Sequence, residues 1–279
     1  MAKAAAGCLA RERSRVAPVS GLREHTLHVR GGNVRVWEKG AGRTVGVLGG
    51  LFGFPRWSPF LEALSQRHHV VVPALPGHPG GGDFRSLDDL PDWVSATLDL
   101  LDAADLEGAD LVGLGNGATL AAECAAFSRT TVGKLVLAAP FGLFDEGEPV
   151  LDFWARRASE QAATFSAKPA EFARDVLTPP AGADDTEFRI VLSRALEASA
   201  RLLWPTGDRG LAKRLHRVRS ETLLVWGERD AIVPTSYAKK FASGISGGTQ
   251  TRSIPGAGHA LDFDAPELLA AAIEEFLGD

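Results

Sequence analysis

The residues of this chain that could do chemistry fall in three places, each where an apolar run ends in glycines. Leu111-Val112-Gly113-Leu114-Gly115-Asn116-Gly117-Ala118 has the frame of a G-x-S-x-G turn, which exposes a nucleophilic serine between a strand and a helix. Position 115, where that serine would stand, is glycine. Leu223-Leu224-Val225-Trp226-Gly227-Glu228-Arg229-Asp230 ends in a carboxylate, and Ile254-Pro255-Gly256-Ala257-Gly258-His259 delivers an imidazole. A carboxylate that fixes the tautomer of a histidine makes a general base, and the order turn, Asp, His suits one site. Acyl-enzyme chemistry needs a nucleophile that Gly115 cannot supply. What remains suits proton abstraction with enolate stabilisation, in isomerisation, elimination, cyclisation, decarboxylation or cofactor-free oxygenation. It also suits direct activation of water on an ester. A general base contributes about 10²–10⁴-fold and an oxyanion donor about 10²–10³-fold, enough for an enzyme without a serine.

Each residue has a plainer reading. A loop aspartate is ordinarily a turn or cap residue, and a histidine after glycines is often structural. Their shared position at strand ends, in this order, marks Asp230 and His259 as a pair. Ser58 and Ser236 stand at helix starts and read as caps rather than as substitute nucleophiles. Gly113–Ala118 also fits G-x-G-x-x-A, a dinucleotide fingerprint. That motif wants an acid about 20 residues on, at the next strand end, and Leu137-Ala138-Ala139-Pro140 offers none.

The elements that must position these residues alternate. His25–Arg30 and Val34–Glu38 read as a hairpin around Gly31-Gly32-Asn33. Strands follow at Thr44–Leu48, His69–Pro73, Asp110–Gly113, Lys134–Ala139, Thr222–Trp226 and Gln250–Ile254. Helical spacing covers Ser58–Arg67, Leu87–Ala104, Asn116–Phe127, Thr235–Ser243 and Pro266–Leu277. Such alternation predicts an α/β protein, with a mostly parallel eight-stranded sheet and helices on both faces. Residues 141–216 break the rhythm with helical patterns at Val150–Thr164, Pro169–Leu177 and Thr186–Trp204. They read as a helical cap inserted between two parts of a core domain, 23–140 and 217–279. Residues 1–22, rich in Ala, Arg and Ser, read as a disordered extension.

By these residues the chain resembles the α/β-hydrolase family, from Leu22 to Leu277. The resemblance rests on Leu48-Gly49-Gly50-Leu51, on Pro73-Ala74-Leu75-Pro76-Gly77-His78, and most specifically on Val225–Asp230 and Pro255–His259. The insert resembles the caps of ester and C–C-bond hydrolases. The resemblance implies a pocket between cap and sheet, with His259 and Asp230 as base and orienting partner and backbone N–H groups of Leu51 and Asn116 as the oxyanion hole. Gly50, Leu114, Trp57 and Phe141 are then the candidate substrate contacts. The chain departs from relatives at Gly115, at Leu114 and at Gly49, the last two being positions where histidine is usual. Three departures around one site fit natural drift better than one introduced inactivation. Two alternatives stand beside an enzyme without serine: a hydrolase fold kept to bind a small apolar ligand, and a serine hydrolase silenced by glycine at 115.

A net charge of −5 without a basic stripe gives nucleic acid nothing to hold. Cys8 and Cys124 are too few for a disulfide framework or a metal cluster, and Cys124 reads as a small buried residue. No apolar run reaches the roughly 20 residues of a membrane span. The expected partner is a small molecule, with no cofactor or metal and a cytoplasmic location. A homodimer is compatible with the sequence, which fixes no oligomeric state.

Overall fold

The computed structural model describes residues 19–179 and 182–278. Eight strands form one sheet: β1 (Arg23–Val29), β2 (Gly32–Lys39), β3 (Thr44–Leu48), β4 (His69–Pro73), β5 (Asp110–Leu114), β6 (Leu135–Ala138), β7 (Thr222–Gly227) and β8 (Thr249–Ile254). Their order is β1-β2-β4-β3-β5-β6-β7-β8, antiparallel in the first two pairings and parallel from β4 onward. The inner strands are apolar after their first residues because helices cover both faces of a parallel sheet. β5 and β6 are buried at every residue. β8, with the polar sequence Thr249-Gln250-Thr251-Arg252-Ser253, is mostly exposed, as an edge strand can be. The sheet is that of the α/β-hydrolase fold expected from the sequence.

Register explains why distant segments meet. β3 pairs β5 with Leu48 opposite Gly113, so the glycine loop after β3 emerges beside the turn after β5. β7 pairs β8 with Gly227 opposite Ile254, which sets the loops bearing Asp230 and His259 side by side.

The helices are α1 (Pro59–Leu64), α2 (Leu90–Ala103), α3 (Asn116–Phe127), α4 (Gln161–Phe165), α5 (Pro169–Asp175), α6 (Asp185–Leu203), α7 (Tyr237–Gly244), α8 (Leu261–Asp264) and α9 (Pro266–Leu277). α1 packs against α9, and α2 against α3. Ser58 caps α1, its hydroxyl accepting from the Leu61 N–H. Ser236 does not cap α7, because its hydroxyl is spent on Glu148. α2 starts at Leu90 rather than Leu87, where Asp89 and Asp92 form a capping box. α3 is small-residue-rich because it is enclosed on all sides, every residue from Asn116 to Ala126 being buried, Cys124 among them.

Between β6 and β7 the described residues form only helices and turns. The helix expected over Val150–Thr164 is instead two 3₁₀ turns, Phe153–Ala155 and Ala158–Glu160, followed by the short α4. Asp152 accepts from the Trp154 and Ala155 N–H groups, and Arg156 and Arg157 are extended, which breaks the run. Of the expected N-terminal extension, residues 1–18 lie outside the described residues, as does Cys8. Residues 19–22 form a turn in which the Leu22 N–H donates to the Val19 carbonyl. No helix among the described residues is long and apolar enough to cross a membrane.

Candidate functional site

The turn between β5 and α3 is sharp and centres on Gly115. Gly115 has φ 51° and ψ −115°, a conformation that costs a side-chain-bearing residue about 1–3 kcal/mol. A Cβ built there would lie 3.4 Å from His259 Nε2, 3.7 Å from Phe141 Cε2 and 3.8 Å from Gly50 Cα, so space for a side chain is present. Gly117 is required for a different reason: a Cβ on it would collide with the carbonyl oxygens of Leu48 and Gly49. That close approach brings the glycine loop after β3 against the first turn of α3.

His259 reaches this turn from the loop after β8. Its Nδ1 lies 2.9 Å from Asp230 Oδ2, and the Asp230 side chain is fully buried. A carboxylate only accepts, so Nδ1 carries the proton and Nε2 is left with its lone pair. Asp230 is itself fixed, its Oδ1 accepting from the N–H groups of Ile232 and Val233 at 2.8 and 3.0 Å. His259 is 7 % exposed, and its buried Nε2 has no hydrogen-bond partner among the described residues. A buried ring nitrogen left unpaired is uncommon and calls for an explanation. Here it faces the space that a side chain at 115 would fill.

The loop that carries His259 is tied to the helical segment between β6 and β7. Asp264 accepts from the backbone N–H of Gly258 and of Ala167, at 2.6 and 2.9 Å, and from the Ser166 hydroxyl. The Ala260 N–H donates to the Phe165 carbonyl. The histidine's position is thus set jointly by the sheet and by the end of α4.

A cavity of about 380 Å³ opens above the turn. Gly50, Leu51, Leu114, Gly115 and His259 form its floor, and Phe165 and Phe172 from the helical segment form part of its wall. Of the residues singled out from sequence, these floor residues come together. The first N–H groups of a helix have no intrahelical acceptor, which leaves the Asn116 N–H at the start of α3 free to donate. The Asn116 side chain turns elsewhere, its Nδ2 lying 3.1 Å from Ser199 Oγ and 3.3 Å from His78 Nε2.

Two expected substrate contacts do not line the cavity. Trp57 donates its indole N–H to Glu62 and packs edge-on against Trp37, drawn to the β2 side by a polar partner. Phe141 stands behind the site, its ring 5.1 Å from the His259 ring and 6.3 Å from Phe153. Sequence reasoning missed Asp262, which lines the cavity three residues after His259, and the buried His78 and Ser199. His78 was visible as the end of the Pro76-Gly77-His78 turn, but nothing local announced its partners.

Comparison with known proteins agrees with this architecture. The sequence model of the Alpha/beta hydrolase family matches residues 42–272. The chain is 30 % identical over 264 residues to the dihydrolipoyllysine-residue acetyltransferase component of the acetoin cleaving system of Pseudomonas putida, covering 88 % of this chain and 67 % of that protein. Among solved structures, the meta-cleavage product hydrolase of Pseudomonas fluorescens superposes with a TM-score of 0.71 at 18 % identity, over 91 % of this chain and 97 % of that one. The 2-hydroxy-6-oxo-6-phenylhexa-2,4-dienoate hydrolase of a Rhodococcus strain gives 0.70 at 17 %, over 92 % and 99 %. At these identities the two structures speak for the fold alone. With its sheet order, its turn geometry and a family match spanning most of its length, this chain belongs to the alpha/beta hydrolase family.

Proposed function

We propose that the protein is an enzyme of this fold that uses His259 as a general base on a small, largely apolar carbonyl or ester compound, with no serine nucleophile. The observation that carries this reading is the orphaned His259 Nε2 beside the vacant side-chain space of Gly115, inside a cavity with an apolar wall. In proton abstraction, Nε2 takes a proton from the carbon next to the carbonyl. The electron pair moves onto the carbonyl oxygen, where the N–H groups of Leu51 and Asn116 hold it. The proton then returns from Nε2 to the product. With an ester, Nε2 takes a proton from water, the hydroxide adds to the acyl carbon, and the leaving group departs with that proton. In both cases Asp230 stabilises the transient imidazolium. Relatives named as hydrolases and as an acetyltransferase support a carbonyl-bearing substrate. Residues 141–216 act as the cap over this cavity, with 23–140 and 217–279 forming the core domain.

The test works without the native substrate. Aryl alkyl ketones are incubated with the full chain in D₂O, and deuterium uptake next to the carbonyl is followed by NMR. Hydrolysis of p-nitrophenyl esters is followed in parallel. His259→Ala should lower the catalysed rate by about 10²–10⁴-fold while leaving ligand affinity nearly unchanged, because a base acts mainly in the transition state. A rate unaffected by His259→Ala removes the catalytic reading. The absence of a side chain at 115 would then favour a fold retained for binding.

A further inference from the structure

The cavity contains one carboxylate that no neighbouring cation neutralises. Asp262 lines it from α8, and among the described residues no ion pair engages it. The charged groups around it are each committed elsewhere. Asp264 is saturated by Ser166, Ala167 and Gly258, and Lys168 donates to the Asp264 carbonyl. His259 gives its Nδ1 proton to Asp230. Across the cavity, Asp175 is held by Arg174 through two bonds of 2.8 and 2.7 Å, which keep its carboxyl below the usual range. Arg56, the cation of the lining, is exposed and donates to the Asp175 backbone carbonyl. The rest of the wall is mainly hydrocarbon, including the rings of Phe52, Phe54, Phe165, Phe172 and Phe263.

We propose that the cavity takes a compound with an apolar body and an ammonium head, and that Asp262 pairs with this head while the carbonyl end lies at His259. The inference deepens the proposed function and rests on its reading of the cavity as the substrate site. Asp262 is half-buried and has no counter-ion among the described residues, and a ligand cation supplies the missing partner. Burial pushes the Asp262 carboxyl up to about 6, with Asp264 adding to the rise and His259 opposing it. Phenyl rings add attraction for an ammonium, since their faces are electron-rich. An anionic head would meet the unpaired Asp262, whereas Asp175 is already matched by Arg174. The volume of about 380 Å³ is at the small end for ligand pockets, which fits one ring and a short chain.

The experiment uses three matched probes on the intact chain: 2-phenylethylammonium, 2-phenylethanol and 3-phenylpropionate, with affinity read by calorimetry and by NMR shifts of the His259 ring. At neutral pH the ammonium should bind about tenfold tighter than the alcohol, and the carboxylate weakest. The preference should fade as pH falls through about 6, because acid removes the Asp262 charge. Asp262→Asn should bring ammonium and alcohol to within about twofold. Equal binding of the three probes, tighter binding of the carboxylate, no binding of the ammonium, or a preference that survives Asp262→Asn overturns the proposal. If Asp262→Asn does not fold, the pH series on the unaltered chain decides. Because binding is read without turnover, failure here leaves the His259 base reading standing, and a silent His259 would leave the selectivity intact.

Discussion

Two histidines flank the start of α3, and consecutive residues address them: position 115 faces His259, and Asn116 contacts His78. Both rings are buried. His78 has a partner at each nitrogen, Nδ1 at 3.2 Å from the Pro76 carbonyl and Nε2 at 3.3 Å from Asn116 Nδ2 and 3.4 Å from Ser199 Oγ. Ser199, on α6, also donates to the Leu51 carbonyl at 3.1 Å, so this network anchors the glycine loop from behind. Burial pushes the His78 pKa down to about 4, and the ring stays neutral. Among the described residues, His259 has a partner only at Nδ1. A histidine whose two nitrogens are both satisfied holds structure, whereas one with a spare nitrogen facing a cavity is available for chemistry.

The contrast predicts crossed effects. His259→Ala should cost about 10²–10⁴-fold in catalysed proton exchange and little stability, and Asp230→Asn should cost strongly in rate by freeing the wrong tautomer. His78→Ala should do the reverse, lowering stability by about 2–4 kcal/mol through a cavity and unpaired groups, with less effect on rate than His259→Ala. Urea unfolding and the D₂O assay on the same preparations read both. If His78→Ala abolishes exchange in a well-folded protein, the division between the two histidines fails.

Acid sharpens the comparison. An unfolded His78 takes up a proton near its ordinary 6.5, and the folded one only near 4. Between those values the unfolded chain binds the extra proton, so stability falls as pH falls, by on the order of 3 kcal/mol from this residue. Asp262 works the other way. Its folded pKa of about 6 lies above the ordinary 3.8, so stability rises as pH falls through that window. Asp262→Asn should therefore steepen the loss of stability between pH 6.5 and 4, and His78→Ala should flatten it. Urea midpoints across that range that shift in the opposite directions would contradict both assignments.

Smaller effects follow at the turn itself. Gly115→Ala should destabilise by about 1–3 kcal/mol, through backbone strain rather than a clash. Ser199→Ala should cost about 1 kcal/mol by releasing Leu51 and Asn116, without moving the NMR signals of the His259 ring. A displacement of those signals would show that the two sides of the turn are coupled.

The sheet was legible in the sequence because buried parallel strands must be apolar runs, and Val70–Val72 or Leu223–Trp226 fit no other role. The segments bearing Gly115, Asp230 and His259 were legible because glycines punctuate strand ends. Trp57 was misplaced because side-chain direction depends on a partner, Glu62, whose position only the fold supplies. The helix read at Val150–Thr164 failed because apolar spacing cannot reveal that Asp152 captures the chain in a tight turn. Asp262 was passed over because an aspartate in alternation with Leu261 and Phe263 looks solvated until the fold sets it in one cavity with Phe172 and Phe263.

If the turn at Gly115 and the His259 base lack only a nucleophile, Gly115→Ser should supply it. The unaltered chain, Gly115→Ser and the double variant Gly115→Ser with His259→Ala are each treated with a serine-directed fluorophosphonate, and intact masses are recorded. No adduct on the unaltered chain, one adduct per chain on Gly115→Ser and none on the double variant are expected, since a hydroxyl at 115 would stand within reach of His259 Nε2. An adduct on the unaltered chain, or a folded Gly115→Ser protein that stays unlabelled, would contradict the account.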